Sequence, residues 1–294
     1  MPIIQHLIDA VTMGGMYALA ALGIGVIFGI MGLLNFAHGN FIMIGAYAIF
    51  LMSGRPIFIV AATTVVVVIL LALSTDRFVF RPLRGAEAAT LLISSFAVAY
   101  LLENIIIMSF GGRPKAVDFG HGLLESVTIG SVRISQLDIF TIAITAVLLI
   151  GLTLFLRKTR YGTEMRAAAS DFRMARLLGI RANRVVATAF AVSGVLAAAV
   201  SIMLVARTGA VSHGMGLMPL LFGFLATLMS MGNLPGAALG GFILGFVSVG
   251  FQVVLPPDLV PYRDAFVFAL VVIIYALFPG GLMSGLRRQG GERV

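Results

Sequence analysis

The side chains able to bind, protonate or coordinate are few in this chain, so their positions carry information. Four histidines stand at positions 6, 38, 121 and 213, and there is no cysteine. None of the histidines has the spacing of a metal site. There is no G-x-S-x-G nucleophile elbow, no carboxylate pair inside an apolar run, and no G-x-x-x-x-G-K-[ST] loop to cradle phosphates. Enzyme chemistry is therefore not expected of this polypeptide, nor any cofactor or metal of its own. What remains is polar groups in apolar surroundings. Asn35, His38 and Asn40 lie in LLNFAHGNFIMIGAY, and Glu103 with Asn104 lies toward the end of another apolar run. Such groups can satisfy broken backbone, line a polar path or relay a proton. A third set sits in the polar stretch RYGTEMRAAASDFRMARLLGIRANRV, residues 160–185.

The elements that hold these residues must be membrane spans. Hydrophobic residues make up 60% of the 294 positions and charged ones 11%, well under the roughly 25% of a soluble domain. Mean hydropathy is +1.08. Alternating ten-residue strands are absent, so the expected fold is an all-α, polytopic helical bundle rather than a barrel. Apolar segments at 7–33, 40–54, 56–75, 88–110, 137–156, 185–206, 217–232, 236–255 and 262–280 predict eight or nine crossings. The second and seventh are short, as full crossings among neighbours or as half-helices. No Lys or Arg occurs in the first 54 residues, so the first run lacks the basic start of a cleavable signal and is expected to stay.

Charge orients the set. Loops 75–87 and 157–184 and the tail (Arg287, Arg288 and Arg293) carry most of the 20 Lys and Arg. The positive-inside bias places them and the C-terminus in the cytoplasm, with the N-terminus and loop 111–136 outside. The net charge of +8 thus reflects orientation, and no nucleic-acid partner is expected.

Small residues mark helix contacts. Gly25 and Gly29, then Gly232, Gly236 and Gly240, then Gly241 and Gly245 repeat every four residues, the spacing that lets helices approach closely in lipid. In 160–185, Thr163 can cap a helix over 164–169, and Ser170 or Asp171 a second one that Gly179 ends in the left-handed conformation. On that second helix Phe172, Ala175 and Leu178 form one stripe, with Arg173 and Arg176 on another side. Such an elbow suits docking in a groove of a partner protein, or lying on anionic lipid. In the opening stretch, Asn35 and His38 can bond backbone left free by a helix break, and Gly39 permits a change of direction. Direct contact with a substrate is the other reading. Glu103 either lines a path or sits among the outer headgroups.

Several stretches resemble one family. GLLNFAHGNFIMIGAY (32–47) is similar to the N-x-A-H-G…M-x-G-A-Y signature of Liv-type branched-chain amino acid permeases of ABC importers. FRPLRGAEAATLLISSFAVAYLLEN, YGTEMRAAASDFRMARLLGI, MGNLPGAALGGFILG and FALVVIIYALFPGGLMSG extend the match nearly end to end. The resemblance implies one permease domain over 1–294, with a coupling segment at 157–184. It implies a bacterial inner-membrane location and partnership with a second homologous permease. It also implies two cytoplasmic ATPases, which carry the ATP and Mg, and a periplasmic or extracellular binding protein. Branched-chain or other aliphatic amino acids are the implied cargo; urea, short amides or sugars are handled by related permeases. By the same resemblance Ala168, Ala169, Asp171, Leu178 and Gly179 fall in the ATPase-coupling motif. Asn35, His38 and Gly39 fall near the translocation path. The chain departs from the family at Glu103, where Gln is frequent, and at Met229, Ser230 and Met231 ahead of the late turn. A proton-coupled secondary transporter using Glu103 as relay is the alternative.

Overall fold

The computed structural model describes residues 2–119, 126–129, 132–230 and 233–277. Their long elements are helices, because a backbone in hydrocarbon must bond itself. In order these are α1 (Pro2–Met31), α2 (Ala37–Leu51), α3 (Ile57–Thr75) with a π-helical turn (Asp76–Phe80), and α4 (Ala88–Phe110). After two short strands β2 and β3 (Ser126–Ile129, Val132–Ser135) come α5 (Gln136–Lys158), α6 (Arg160–Ser170), α7 (Phe172–Leu177) and α8 (Ala182–Thr208). The rest is α9 (Leu217–Met229), α10 (Leu234–Val254), a 3-10 turn (Val260–Tyr262) and α11 (Arg263–Leu277). Two small antiparallel ladders interrupt the helical pattern. One is β2 with β3, and the other joins β1 (Lys115–Ala116) to β4 (Ala210–Val211).

The expectation of eight or nine crossings is too high by the criterion of length and apolarity. Among the described residues six helices meet it: Ile3–Met31, Ile57–Phe80, Ala88–Phe110, Gln136–Lys158, Ala182–Thr208 and Leu234–Val254. The 15 residues of α2 and 13 of α9 extend about 22 and 20 Å at 1.5 Å per residue, short of a ~30 Å hydrocarbon core. Short or broken helix can still carry the chain through the bundle where protein surrounds it. α1 ends beside Arg157 and Asn233 at the basic end, whereas the end of α2 lies against Phe110 at the far end of α4.

α1 is the axis. Its best apolar window is 89% enclosed by protein, against 17% for α4 and for α5, which turn most of their surface outward. Helices reach α1 closely because their contact residues lack side chains. A Cβ at Gly241 would lie 2.4 Å from the Ala18 backbone, and one at Gly245 would lie 2.3 Å from that of Gly14. Gly223 of α9 meets Ala20 in the same way. In lipid such backbone approach replaces hydrophobic drive. Hydrogen bonds add ties: Thr227 donates to the Ala21 carbonyl (3.0 Å) and Ser201 to that of Ile42 (2.7 Å).

One bundle end gathers most of the described arginines. Asp76, read from sequence as a loop residue, continues α3 and is buried. Arg84 donates to its carboxylate at 2.5 Å and also to Asn183 at the start of α8. The side chains of Arg84 and Asp76 are 16% and 6% exposed, so the pair is enclosed. Arg84→Met strands a buried carboxylate and lowers stability by about 3 kcal/mol. Thermal unfolding in detergent reads this as a drop in midpoint, and adding Asp76→Asn recovers most of it.

Candidate functional site

The sequence-selected residues form three groups. The first lies deep in the bundle. α1 ends at Gly32, whose positive φ (+67°) lets its N–H return to the Phe28 carbonyl at 2.8 Å. The chain then crosses α4, where Phe36 N–H donates to Ser95 Oγ and Asn40 Nδ2 to the Ala99 carbonyl. Asn35 Oδ1 accepts from Ala37 N–H at 3.1 Å and so satisfies the first turn of α2. His38 is fully buried. Its Nδ1 shares a 3.0 Å hydrogen bond with Ser193 Oγ of α8, and its ring fills the notch left by Gly23 of α1. Asn35, also buried, therefore bonds the backbone just ahead of α2, and His38 is a strut between α1, α2 and α8. Both are sealed from solvent in this conformation.

Gly39 does not turn the chain. It is helical, and its lack of a side chain permits contact with Gly216, the residue before α9. A Cβ on Gly216 would fall 1.9 Å from the Gly39 carbonyl oxygen. The first turns of the two short helices thus meet backbone to backbone. Gly216 escaped the sequence reading, although a glycine just before an apolar run was a signal. Ser193 and Gly23 carried none, since only tertiary contact joins them to His38.

The second group is Glu103 with Asn104. Glu103 Oε1 lies 2.9 Å from Nδ1 of His213, both side chains about a third exposed. This pair ties α4 to the loop before α9 across 110 residues of sequence. Asn104 Nδ2 instead donates to the Tyr100 carbonyl one turn back. No three His, Asp or Glu among the described residues converge on a metal-sized site.

The third group is the polar elbow. Thr159, not Thr163, caps α6: its Oγ1 accepts from Gly162 N–H at 3.0 Å, and α6 spans 160–170 rather than 164–169. Asp171 caps α7 by accepting from Met174 N–H at 2.8 Å. Gly179 ends it at φ +85°, with Ile180 N–H reaching back to the Ala175 carbonyl. The expected stripe divides. Ala175 is buried and Phe172 partly so, but α7 stops at Leu177, and Leu178 is 76% exposed. Leu177 and Met174 are exposed beside it, as are Arg173 and Arg176. Ala168 points into the bundle, whereas Ala169 is exposed. Of the late glycines, Gly240 packs on Ala226 and Gly236 is buried in α10. Gly232 lies outside the described residues, as do Met231, His121 and the basic tail.

A helical bundle of this kind, with two short helices meeting inside and an amphipathic elbow at its basic end, defines a polytopic membrane protein. The chain belongs to the family described as branched-chain amino acid transport system / permease component, whose pattern matches residues 6–275. It is 32% identical to the high-affinity branched-chain amino acid transport system permease protein BraD of Pseudomonas aeruginosa, covering 96% of this chain and 95% of that one. It is 30% identical, with the same coverage, to the corresponding permease protein LivH of Escherichia coli. A shorter match, 26% identical over 48% of the chain and 41% of the relative, is to the autoinducer 2 import system permease protein LsrC of Yersinia enterocolitica. No solved structure matches the chain significantly.

Proposed function

We propose that this chain is the membrane subunit of an ATP-driven importer of branched-chain or other aliphatic amino acids, in the inner membrane of a bacterium. All 294 residues act as one permease domain, paired with a second homologous permease. Two ATPase subunits bind the basic end, which faces the cytoplasm with the C-terminus. A binding protein delivers cargo at the opposite end, where the N-terminus and 111–136 lie. ATP and Mg belong to the ATPases.

The elbow carries this reading. α7 and its C-cap hold Met174, Leu177 and Leu178 exposed beside Arg173 and Arg176, outside any span. That face offers a partner apolar anchors with cationic flanks. Nucleotide drives transport by favouring one arrangement of the ATPases, and hence of the elbow, over another. α2 and α9, whose first turns meet at Gly39 and Gly216 inside the bundle, are the elements such a movement would shift. The Glu103–His213 pair lies beyond them at the delivery end.

Reconstituted vesicles containing both permeases and the ATPases test the proposal. Uptake of leucine presented on its binding protein is expected only with ATP and Mg on the ATPase side. Uptake driven by a proton gradient without ATP would instead make Glu103 a relay and the protein a secondary transporter.

A further inference from the structure

We propose that a groove at the basic end of the bundle binds one anionic phospholipid, its phosphate on Arg157 and Arg166 and an acyl chain along α1 and α5. The groove encloses a cavity of about 450 Å3 between α1, α5, α6 and the start of α10. Its long wall is apolar: Leu22, Val26 and Ile30 on α1 face Leu152 and Leu156 on α5. At 1.5 Å per residue, the Leu22 to Ile30 stretch gives a lane roughly 12 Å long. Arg157, in the last turn of α5, and Arg166, on α6, stand at the mouth with Asn233.

Charge decides between occupants. Neither arginine is ion-paired among the described residues. Glu164, close by on α6, accepts instead from Arg160 at 3.3 Å, and Asp171 caps α7. α1 and the start of α10 add no ionisable group to the lining. The site therefore offers two guanidiniums, an amide and an apolar lane, with no carboxylate. A zwitterionic amino acid would leave its ammonium unmatched there. An anion with a hydrocarbon tail matches both halves, and basic pockets between spans are suited to acidic headgroups. α5, which forms one wall of the groove, is among the most outward-facing spans, so a lipid would reach the groove from the side.

The full-length chain, stripped of lipid in a neutral detergent, is titrated with phosphatidylglycerol or phosphatidylcholine and followed by native mass spectrometry. One tightly held phosphatidylglycerol is expected, favoured over phosphatidylcholine by about tenfold given two basic contacts. Arg157→Ala with Arg166→Ala should erase that preference. Arg77→Ala with Arg173→Ala, which removes the same charge elsewhere, should keep it. Leu152→Trp fills the lane with both arginines intact and should also weaken retention, by about tenfold if the tail is seated. Equal binding of the two lipids, equal loss in the control pair, or retention unaffected by Leu152→Trp overturns the proposal. Displacement of the lipid by millimolar leucine would reassign the groove to cargo. None of these readouts depends on ATP-driven uptake, so this proposal and the importer reading stand or fall separately.

Discussion

Gly216→Ala is expected to abolish transport while Gly214→Ala, two residues away, leaves it intact. The added methyl at 216 would sit 1.9 Å from the Gly39 carbonyl oxygen, whereas one at 214 meets nothing within 4 Å. The clash is with backbone, so no rotamer relieves it, and one of the two short helices must move. Overpacking of this kind costs about 3 kcal/mol or rearranges the contact; the open position should change stability by less than about 0.5 kcal/mol. Paired uptake and thermal-unfolding measurements on the two variants check this. The reciprocal Gly39→Ala should fall between them, because its nearest obstacle, the Gly216 carbonyl oxygen, is 2.9 Å away. Equal behaviour of the 216 and 214 variants would mean that the meeting of α2 and α9 does not govern the path.

The second large effect is expected at the elbow. Leu177→Asp with Leu178→Asp should cut co-purification of the ATPase by at least tenfold, since a buried hot spot is worth about 2 kcal/mol or more. The permease itself should insert and unfold normally, because both side chains are three-quarters exposed. Uptake should fall with the lost complex. A normal complex from this variant would place the leucines in the lipid interface. The alanine pair at the same positions separates lost packing from added charge: it should weaken the complex to a lesser degree.

Composition and punctuation in the sequence determined a good deal. Lipid allows few backbone solutions, so nine apolar runs already meant a helical bundle. The elbow was legible because caps are local: Asp171 and Gly179 act within four or five residues of themselves, and both do what their residue types predict. Placing the cap at Thr163 missed by one turn: Thr159 also precedes the helix-forming run, and it is Thr159 whose Oγ1 accepts from Gly162 N–H. The break at Asn35 was legible for the same local reason.

Tertiary structure alone decided the rest. Where an apolar run stays helical depends on its neighbours, so α2 and α9 are short helices while α3 runs on through Asp76. His38 is a strut because Ser193 and Gly23 come to it from two other helices. Glu103 gains His213 from a loop 110 residues away. Leu178 leaves its stripe because α7 ends one residue earlier. Local propensity and solvent act on each residue in sequence order, so sequence displays them; contacts between distant helices are fixed only when backbones pack.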